Sequence, residues 1–337
     1  MTERFTAEVP RALDAVRVDR AIAMLTGVSR ARAAALVSSG KVTLEGREIR
    51  SRSTPLVAGQ MLVVEVPEPP VLEPEEGVPF RVVYDDSSLV VVDKPAGVVV
   101  HPGAGRPAGT LVAGLLARYP DLAGLAGECD PVRPGVVHRL DRGTSGLLVV
   151  ARTVDAYRSL AAQMAARSAG REYLALVAGH LDDDRGTIDA PIGRSARTPT
   201  RMAVSAAGRP ARTGYEVRRR LDAVTGRRGT MELSATLVAC RLETGRTHQI
   251  RVHFAAIDHP VVGDDRYGRP PPGVLEAGRL FLHAGKLSVD HPVTGERMTW
   301  TSALPEDLST ALDGAGAPQG GRGSGGGVVG AGEGAVD

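Results

Sequence analysis

The residues with the most chemistry to offer crowd into one stretch, PGVVHRLDRGTSGLLVVAR, at positions 134–152. An apolar pair, Val136 and Val137, leads into His138-Arg139-Leu140-Asp141-Arg142. A Gly-Thr-Ser-Gly turn follows, and then the apolar run Leu147 to Val150. Charges packed this densely between two strand-like segments belong on a short, firmly held loop. Asp141 lies between Arg139 and Arg142, and nearby positive charge favours the ionised form of a carboxylate. An ionised, positioned carboxylate is the form a covalent nucleophile requires. A structural aspartate capping a turn within an ion-pair network has the same spacing, so residue types alone leave the two readings level.

Other chemistries find little support. No G-x-x-x-x-G-K-[ST] is present, and Gly103-Ala104-Gly105 lacks the third glycine of a dinucleotide fingerprint because position 108 is Ala. His248 and His253 stand five apart in HQIRVHF, whose alternation predicts a strand, which sends them to opposite faces rather than around one metal. There is no G-x-S-x-G elbow. Cys129 and Cys240 are the only cysteines and have neither disulfide-framework nor metal-ligand spacing. A metal hydrolase, a P-loop NTPase and an α/β-hydrolase all fit poorly.

The elements that must hold the Asp141 loop are legible in outline. A chain of 337 residues suggests about two domains. Val18, Ile22 and Leu25 recur at helical spacing; Ser29 reads as the N-cap of a second helix containing Leu36, and Gly40 stops it. KVTLEGREIRSRSTPLVAGQMLVVEV reads as short strands broken at Gly46, Pro55 and Gly59. Residues 67–79, PEPPVLEPEEGVP, hold five prolines and predict a stiff extended linker. Beyond it, Leu89 to Val92 predicts a strand stopped by Pro95-Ala96-Gly97, and TMELSATLVACRLET predicts another. DAYRSLAAQMAAR predicts a helix. The result is a strand-rich α+β domain over about 80–310. The last 25 residues, from Asp313, contain 11 glycines and predict a disordered tail.

Net charge is only +2, from 41 basic and 39 acidic residues, which by itself announces no nucleic-acid partner. Its distribution is uneven. Between Arg17 and Arg52 eight basic residues face three acidic ones, and from Arg194 to Arg220 eight arginines face Glu216 alone. Both runs suit phosphate contact, and both also suit a solvated face. No apolar run is long enough to span a bilayer, and MTERFTAEVP carries charge where a signal peptide needs apolar residues. With so few cysteines, a cytoplasmic protein is expected.

Two resemblances sharpen this picture. VDRAIAMLTGVSRARAAALVSSGKVTLEGREI resembles an S4-type RNA-binding domain over residues 14–66, with Glu45 where Asn or Asp is common. It implies RNA contacts from Arg30, Arg32 and Lys41. HRLDRGTSGLLVVA resembles the signature of the RluA-type pseudouridine synthases. DKPAGVVVHPG, REYLALVAG, ETGRTHQIRVHFAAIDHPVVGDDRYG and LFLHAGKLSVDHPVTGERMTW resemble that family's other motifs, in order. With PIGR…RMAV, the pattern is most similar to the RluD-like branch acting on large-subunit ribosomal RNA.

The resemblance implies a mixed, mainly antiparallel catalytic sheet and isomerisation of uridine to pseudouridine in RNA, with no cofactor and no metal. It assigns Asp141 as nucleophile, Arg251 as its guanidinium partner and Tyr173 to the uracil. Arg139 would fill the place of a flipped base, extrusion of which costs a few kcal/mol. His138, Arg142, Arg246 and His248 complete the expected RNA contacts. As plain alternatives, Tyr173 is a core aromatic and Arg139 a surface partner for phosphate or carboxylate. The expected partner is RNA, with ribosomal RNA in pre-ribosomal particles ahead of transfer RNA, and the expected state is a monomer. Two competing functions remain: a non-catalytic S4-type RNA-binding or ribosome-assembly factor, and a hydrolase, which would need a second carboxylate beside Asp141.

Overall fold

The computed structural model describes residues 2–28, 30–67, 72–103, 108–125, 129–225, 232–268 and 278–316. The chain forms two compact units, Met1–Val71 and Leu72–Asp337.

The first unit opens with strand β1 (Thr2–Glu8), followed by helices α1 (Val18–Thr26) and α2 (Arg30–Ser38). Strands β2 (Val42–Leu44), β3 (Arg47–Glu48) and β4 (Met61–Pro67) complete an antiparallel sheet of order β1-β4-β2-β3. Helix α1 buries Val18, Ala21 and Ile22, and ends at Gly27 in the left-handed conformation. Leu36, Val37, Val42, Leu62 and Val64 close the same core. The expected cap Ser29 lies outside the described residues. Strand β1 has no counterpart in the sequence reading: TERFTAE is mostly exposed and charged, and it is a strand because all seven of its residues pair with β4.

The second unit is built on a nine-stranded sheet. In chain order it comprises β5 (Arg81–Asp85), β6 (Leu89–Lys94), α3 (Leu111–Arg118), β7 (Ser145–Ala151), α4 (Val154–Ala166), β8 (Gly170–Ala178) and β9 (Arg185–Asp189). There follow β10 (Ile192–Arg194), β11 (Met202–Val204), β12 (Arg212–Thr225), β13 (Glu232–Leu242), α5 (Gln249–Ala256), β14 (Leu282–Asp290), β15 (Arg297–Thr301) and α6 (Glu306–Gly316). The sheet runs β5-β6-β7-β14-β8-β13-β12-β9, with β15 on β14; β10 and β11 form a separate hairpin. All pairings are antiparallel except β7 with β14.

Strand β7 is buried along its whole length because both faces of the sheet are covered. Val90, Val92, Leu148 and Val150 pack with α3, while Leu89, Val91, Leu147 and Val149 pack with Ala156 and Leu160 of α4. This alternation is the two-residue period of a strand, hidden in the sequence because both sides are apolar.

Three expectations need correction. HQIRVHF is helix, not strand: α5 buries Gln249 to Phe254 continuously. His253 therefore points away from His248, into contacts with Thr213 Oγ1 and the Ala190 carbonyl, 2.9 Å each. Residues 72–79 are no free spacer, since Leu72 and Val78 pack on the core and Glu75 N–H donates to Ala113 O at 3.0 Å. The tail begins later than Asp313, because α6 runs to Gly316, with Leu308 and Leu312 packed in an apolar cluster beside β12 and Arg219 bonded to Leu312 O. Residues 317–337, the rest of the glycine-rich segment, lie outside the described residues.

Candidate active site

The loop carrying Asp141 is held from several sides. Val136 bridges to Val150, and the Thr144 N–H donates to Asp141 O at 3.1 Å, closing a turn just before β7. At Gly146 the chain takes φ 115°, and a Cβ there would lie 2.3 Å from the Ala284 carbonyl oxygen. Glycine is thus required where β7 meets β14 in parallel pairing. Ser145 Oγ and His283 Nδ1, 3.0 Å apart, tie the two strands together. Beneath the loop, Lys94 is fully buried and donates to the carbonyls of Pro95 and Val98, both at 2.9 Å. Burial draws its pKa down to about 7, against the pull of Asp141.

Asp141 opens onto a cleft of about 400 Å³, within the range of small-ligand sites. Its Oδ2 accepts from Arg251 Nη1 at 3.1 Å, and its Oδ1 lies 3.8 Å from His248 Nε2. Arg251 reaches the loop from α5, while its other edge is held by Asp264 through Nε at 2.7 Å and Nη2 at 2.9 Å. Asp264 is itself oriented by the N–H groups of Arg266 and Tyr267, at 2.9 and 3.1 Å. Burial works against the Arg251 charge, yet Asp264 and Asp141 outweigh it and its pKa lies above the ordinary value. The Tyr267 ring lies 5.1 Å from the Arg251 guanidinium, and its hydroxyl accepts from Met202 N–H at 3.1 Å and meets His248 Nδ1 at 2.7 Å. One guanidinium thus links a fully buried carboxylate to one that faces the cleft.

The predicted residues divide clearly. Asp141, Tyr173, Arg251, Arg139, His138, Arg246 and His248 all line the cleft. Tyr173 is both core and site: it is 6% exposed, joins the main apolar cluster and forms part of the cleft wall. Burial raises its pKa, with Arg171 opposing the shift. Arg142 stays outside the lining, exposed, its Nε donating to Gly97 O at 3.2 Å. Arg30, Arg32 and Lys41 lie in the first unit; Arg30 is exposed, Arg32 bonds to Pro67 O, and Lys41 pairs with Glu65 at 3.1 Å. Of the arginines expected to act on the Asp141 charge, the two chain neighbours form no ion pair with it and Arg251, the partner the resemblance implied, does. Arg139 points to His101 Nε2 at 3.3 Å and Arg142 to a carbonyl, while Arg251, 110 residues away, makes the ion pair.

The sequence reading missed Asp264, Lys94, His101, Arg171 and Tyr267. The only signal for Asp264 was its place in GDDRYG, where two adjacent aspartates look alike; folding buries Asp264 to 1%. The Arg194–Arg220 run also divides. Arg212, Arg218 and Arg220 are in ion pairs, whereas Arg197, Arg201 and Arg209 are exposed and make none among the described residues.

Residues 88–256, which contain Asp141, Tyr173 and Arg251, match the family model described as RNA pseudouridylate synthase. The chain belongs to the RNA pseudouridine synthase family. It is 43% identical to the ribosomal large subunit pseudouridine synthase D of Pseudomonas aeruginosa, over 90% of this chain and 92% of that one. An RNA pseudouridine synthase of Chloroflexus aurantiacus is 47% identical over 90% and 91% of the two chains. Among solved structures, human RNA pseudouridylate synthase domain containing 1 superposes with a TM-score of 0.54 at 28% identity, covering 71% of this chain and 90% of its own. The protein is therefore an enzyme that isomerises uridine in RNA to pseudouridine. Its α+β sheet is the synthase scaffold, and the helix that supplies Arg251 falls inside the matched family region.

Proposed function

We propose that this pseudouridine synthase acts on uridines of large-subunit ribosomal RNA, with Asp141 as the nucleophile. The observation that carries the assignment is the single carboxylate that lines the cleft among the described residues, ion-paired to a guanidinium whose other edge is bound by buried Asp264. The relatives named for the large ribosomal subunit support the substrate class. In the reaction the N1–C1′ bond of uridine breaks and a C5–C1′ bond forms. The proton leaves C5, N1 gains one, and the base stays in the cleft throughout.

Arg251 orients the Asp141 carboxylate and Asp264 orients Arg251. Tyr173, a phenol whose pKa burial raises, offers the uracil an aromatic face and an O–H donor rather than a ready base. Arg139, exposed at the rim and joined only to His101 among the described residues, is placed to enter the gap left by the flipped base. Hydrolysis would require a second carboxylate across the site, and the lining includes none among the described residues. The first unit serves as an S4-like RNA-binding module through Arg30 and neighbouring arginines, and the enzyme works as a monomer in the cytoplasm, on ribosomal RNA within pre-ribosomal particles.

Asp141→Asn should keep its fold and RNA affinity while pseudouridine mapping of ribosomal RNA shows the modification lost. Retained conversion would refute the nucleophile. Removing residues 1–71 should weaken RNA binding and flatten its dependence on salt; an unchanged slope would refute the RNA role of that unit.

A further inference from the structure

Among the described residues, four buried side-chain polar atoms have no hydrogen-bond partner: Arg171 Nε, His138 Nδ1, His101 Nδ1 and Thr144 Oγ1. All four residues line the Asp141 cleft. Buried polar atoms in folded proteins are almost always paired, so this concentration in one place calls for a ligand rather than for chance.

The orphans are mainly donors, and their identity follows from their neighbours. His138 Nε2 accepts the Val149 N–H at 3.0 Å, which leaves the ring proton on Nδ1. His101 Nε2 faces Arg139 Nη1 at 3.3 Å; a guanidinium can only donate, so His101 also carries its proton on Nδ1. Burial and adjacent arginines keep both rings neutral, with pKa values of about 3 for His138 and about 4 for His101.

Arg171 stands out among them. It is 8% exposed, carries a full charge, and makes no ion pair or side-chain hydrogen bond among the described residues. It lies on β8 two residues before Tyr173, so the two side chains leave the same face of the strand, their Cα atoms about 6.6 Å apart. Its Nη1 would be 2.7 Å from a Cβ at Gly245, so the guanidinium occupies the space that glycine leaves at the cleft wall.

We infer that Arg171, with the His138 Nδ1–H beside it, receives the phosphodiester next to the target uridine when that nucleotide enters the cleft. The inference rests on the reading that the uridine enters this cleft. A buried, unpaired cation requires an anion, not merely an acceptor. The carbonyls of uracil are neutral, whereas every nucleotide brings one phosphate, and the fork of arginine matches phosphate oxygens. The free enzyme therefore holds an uncompensated charge that substrate binding neutralises.

The probe is an RNA stem–loop whose uridine the wild-type enzyme converts. It is compared with the same RNA bearing an uncharged methylphosphonate immediately 5′ or 3′ of that uridine. In the wild type one of the two replacements should weaken binding at least tenfold. Arg171→Met should weaken the parent RNA at least tenfold, reduce the salt slope by about one, and make the methylphosphonate penalty smaller than twofold. Arg171→Lys should regain most of the salt slope. The free Arg171→Met protein should melt at or above the wild-type temperature, because it loses an unpaired buried charge; a merely structural arginine would lower it.

Absence of any penalty at either phosphate overturns the proposal without a variant being made. Additive penalties in Arg171→Met overturn it too, while leaving the Asp141 assignment intact. Failure of the wild type to convert a uridine in any ribosomal or transfer RNA stem–loop overturns the substrate reading, and this proposal with it.

Discussion

Asp264→Asn preserves the volume of a side chain with no solvent exposure and removes its charge. The carboxylate uses its oxygens unequally. Oδ1 accepts from Arg251 Nη2 and from the N–H groups of Arg266 and Tyr267, while Oδ2 accepts, among the described residues, only from Arg251 Nε. An asparagine oxygen would take the Oδ1 place, so its NH2 would face the Arg251 Nε–H, donor against donor. Losing a charge-assisted bond costs about 1.5–3 kcal/mol, and leaving a buried donor unpaired costs about 1–3 more. The sum, roughly 2.5–6 kcal/mol, brackets the usual penalty of about 3–5 kcal/mol for breaking a buried ion pair.

At about 2–4 °C per kcal/mol for a unit of this size, Tm should fall by roughly 10 °C. Arg251 would then keep one bond to position 264, through Nη2, and lose the two-point hold that fixes its edge toward Asp141. Displacement of the reacting carboxylate by about 1 Å is worth about 100-fold in rate, so kcat should drop by that order while KM for RNA changes much less. Calorimetry gives the first quantity and single-turnover pseudouridine formation at 25 °C gives the second. Tm within 2 °C of wild type together with kcat within twofold would refute the clamp. A fall in Tm with unchanged kcat would show that Asp264 supports the fold but not the carboxylate.

Gly146→Ala puts a methyl group against the Ala284 backbone at a φ that L-residues avoid. It should destabilise the second unit by at least about 3 kcal/mol, read as a lower urea midpoint, and an unchanged midpoint would show that β7 and β14 can separate freely. Lys94 predicts a pH effect. Its folded-state pKa of about 7 lies below the ordinary 10.5, so between those values the unfolded chain binds the extra proton and stability rises with pH. Urea unfolding from pH 7 to 9 should show a rise of at most about 1.4 kcal/mol per unit from this group. Lys94→Met should flatten it; equal slopes in the two proteins would rule Lys94 out as the source.

Some elements were readable because local pattern and tertiary environment agree. DAYRSLAAQMAAR follows Thr153, a true N-cap whose hydroxyl accepts from Ala156 N–H at 3.2 Å, and it is helix α4. HQIRVHF failed for a specific reason. Ile250, Val252 and Phe254 alternate like a strand, while a helix buried on all sides offers no polar face to reveal its 3.6-residue period. Strand β1 failed the opposite way: an edge strand rich in charge has almost no apolar signal, and its conformation comes from pairing with β4.

By itself, the sequence placed a charged loop carrying Asp141 before an apolar run, set basic runs apart from acidic ones, and carried motifs that resemble those of a uridine isomerase. The first two are properties of residue types and near spacing; the third is a resemblance carried by the motifs. Residue types and near spacing left open which charge meets Asp141; the resemblance pointed to Arg251, and the tertiary structure shows how it gets there. Arg139 and Arg142 are adjacent in the chain yet turn elsewhere, while α5 brings Arg251 across 110 residues and Asp264 locks it there. Only the structure showed that Arg171 Nε, His138 Nδ1 and His101 Nδ1 are left without hydrogen-bond partners among the described residues of the cleft. An unsatisfied donor is a property of packing, defined by which atoms fail to arrive, and no local reading of residue types contains that information.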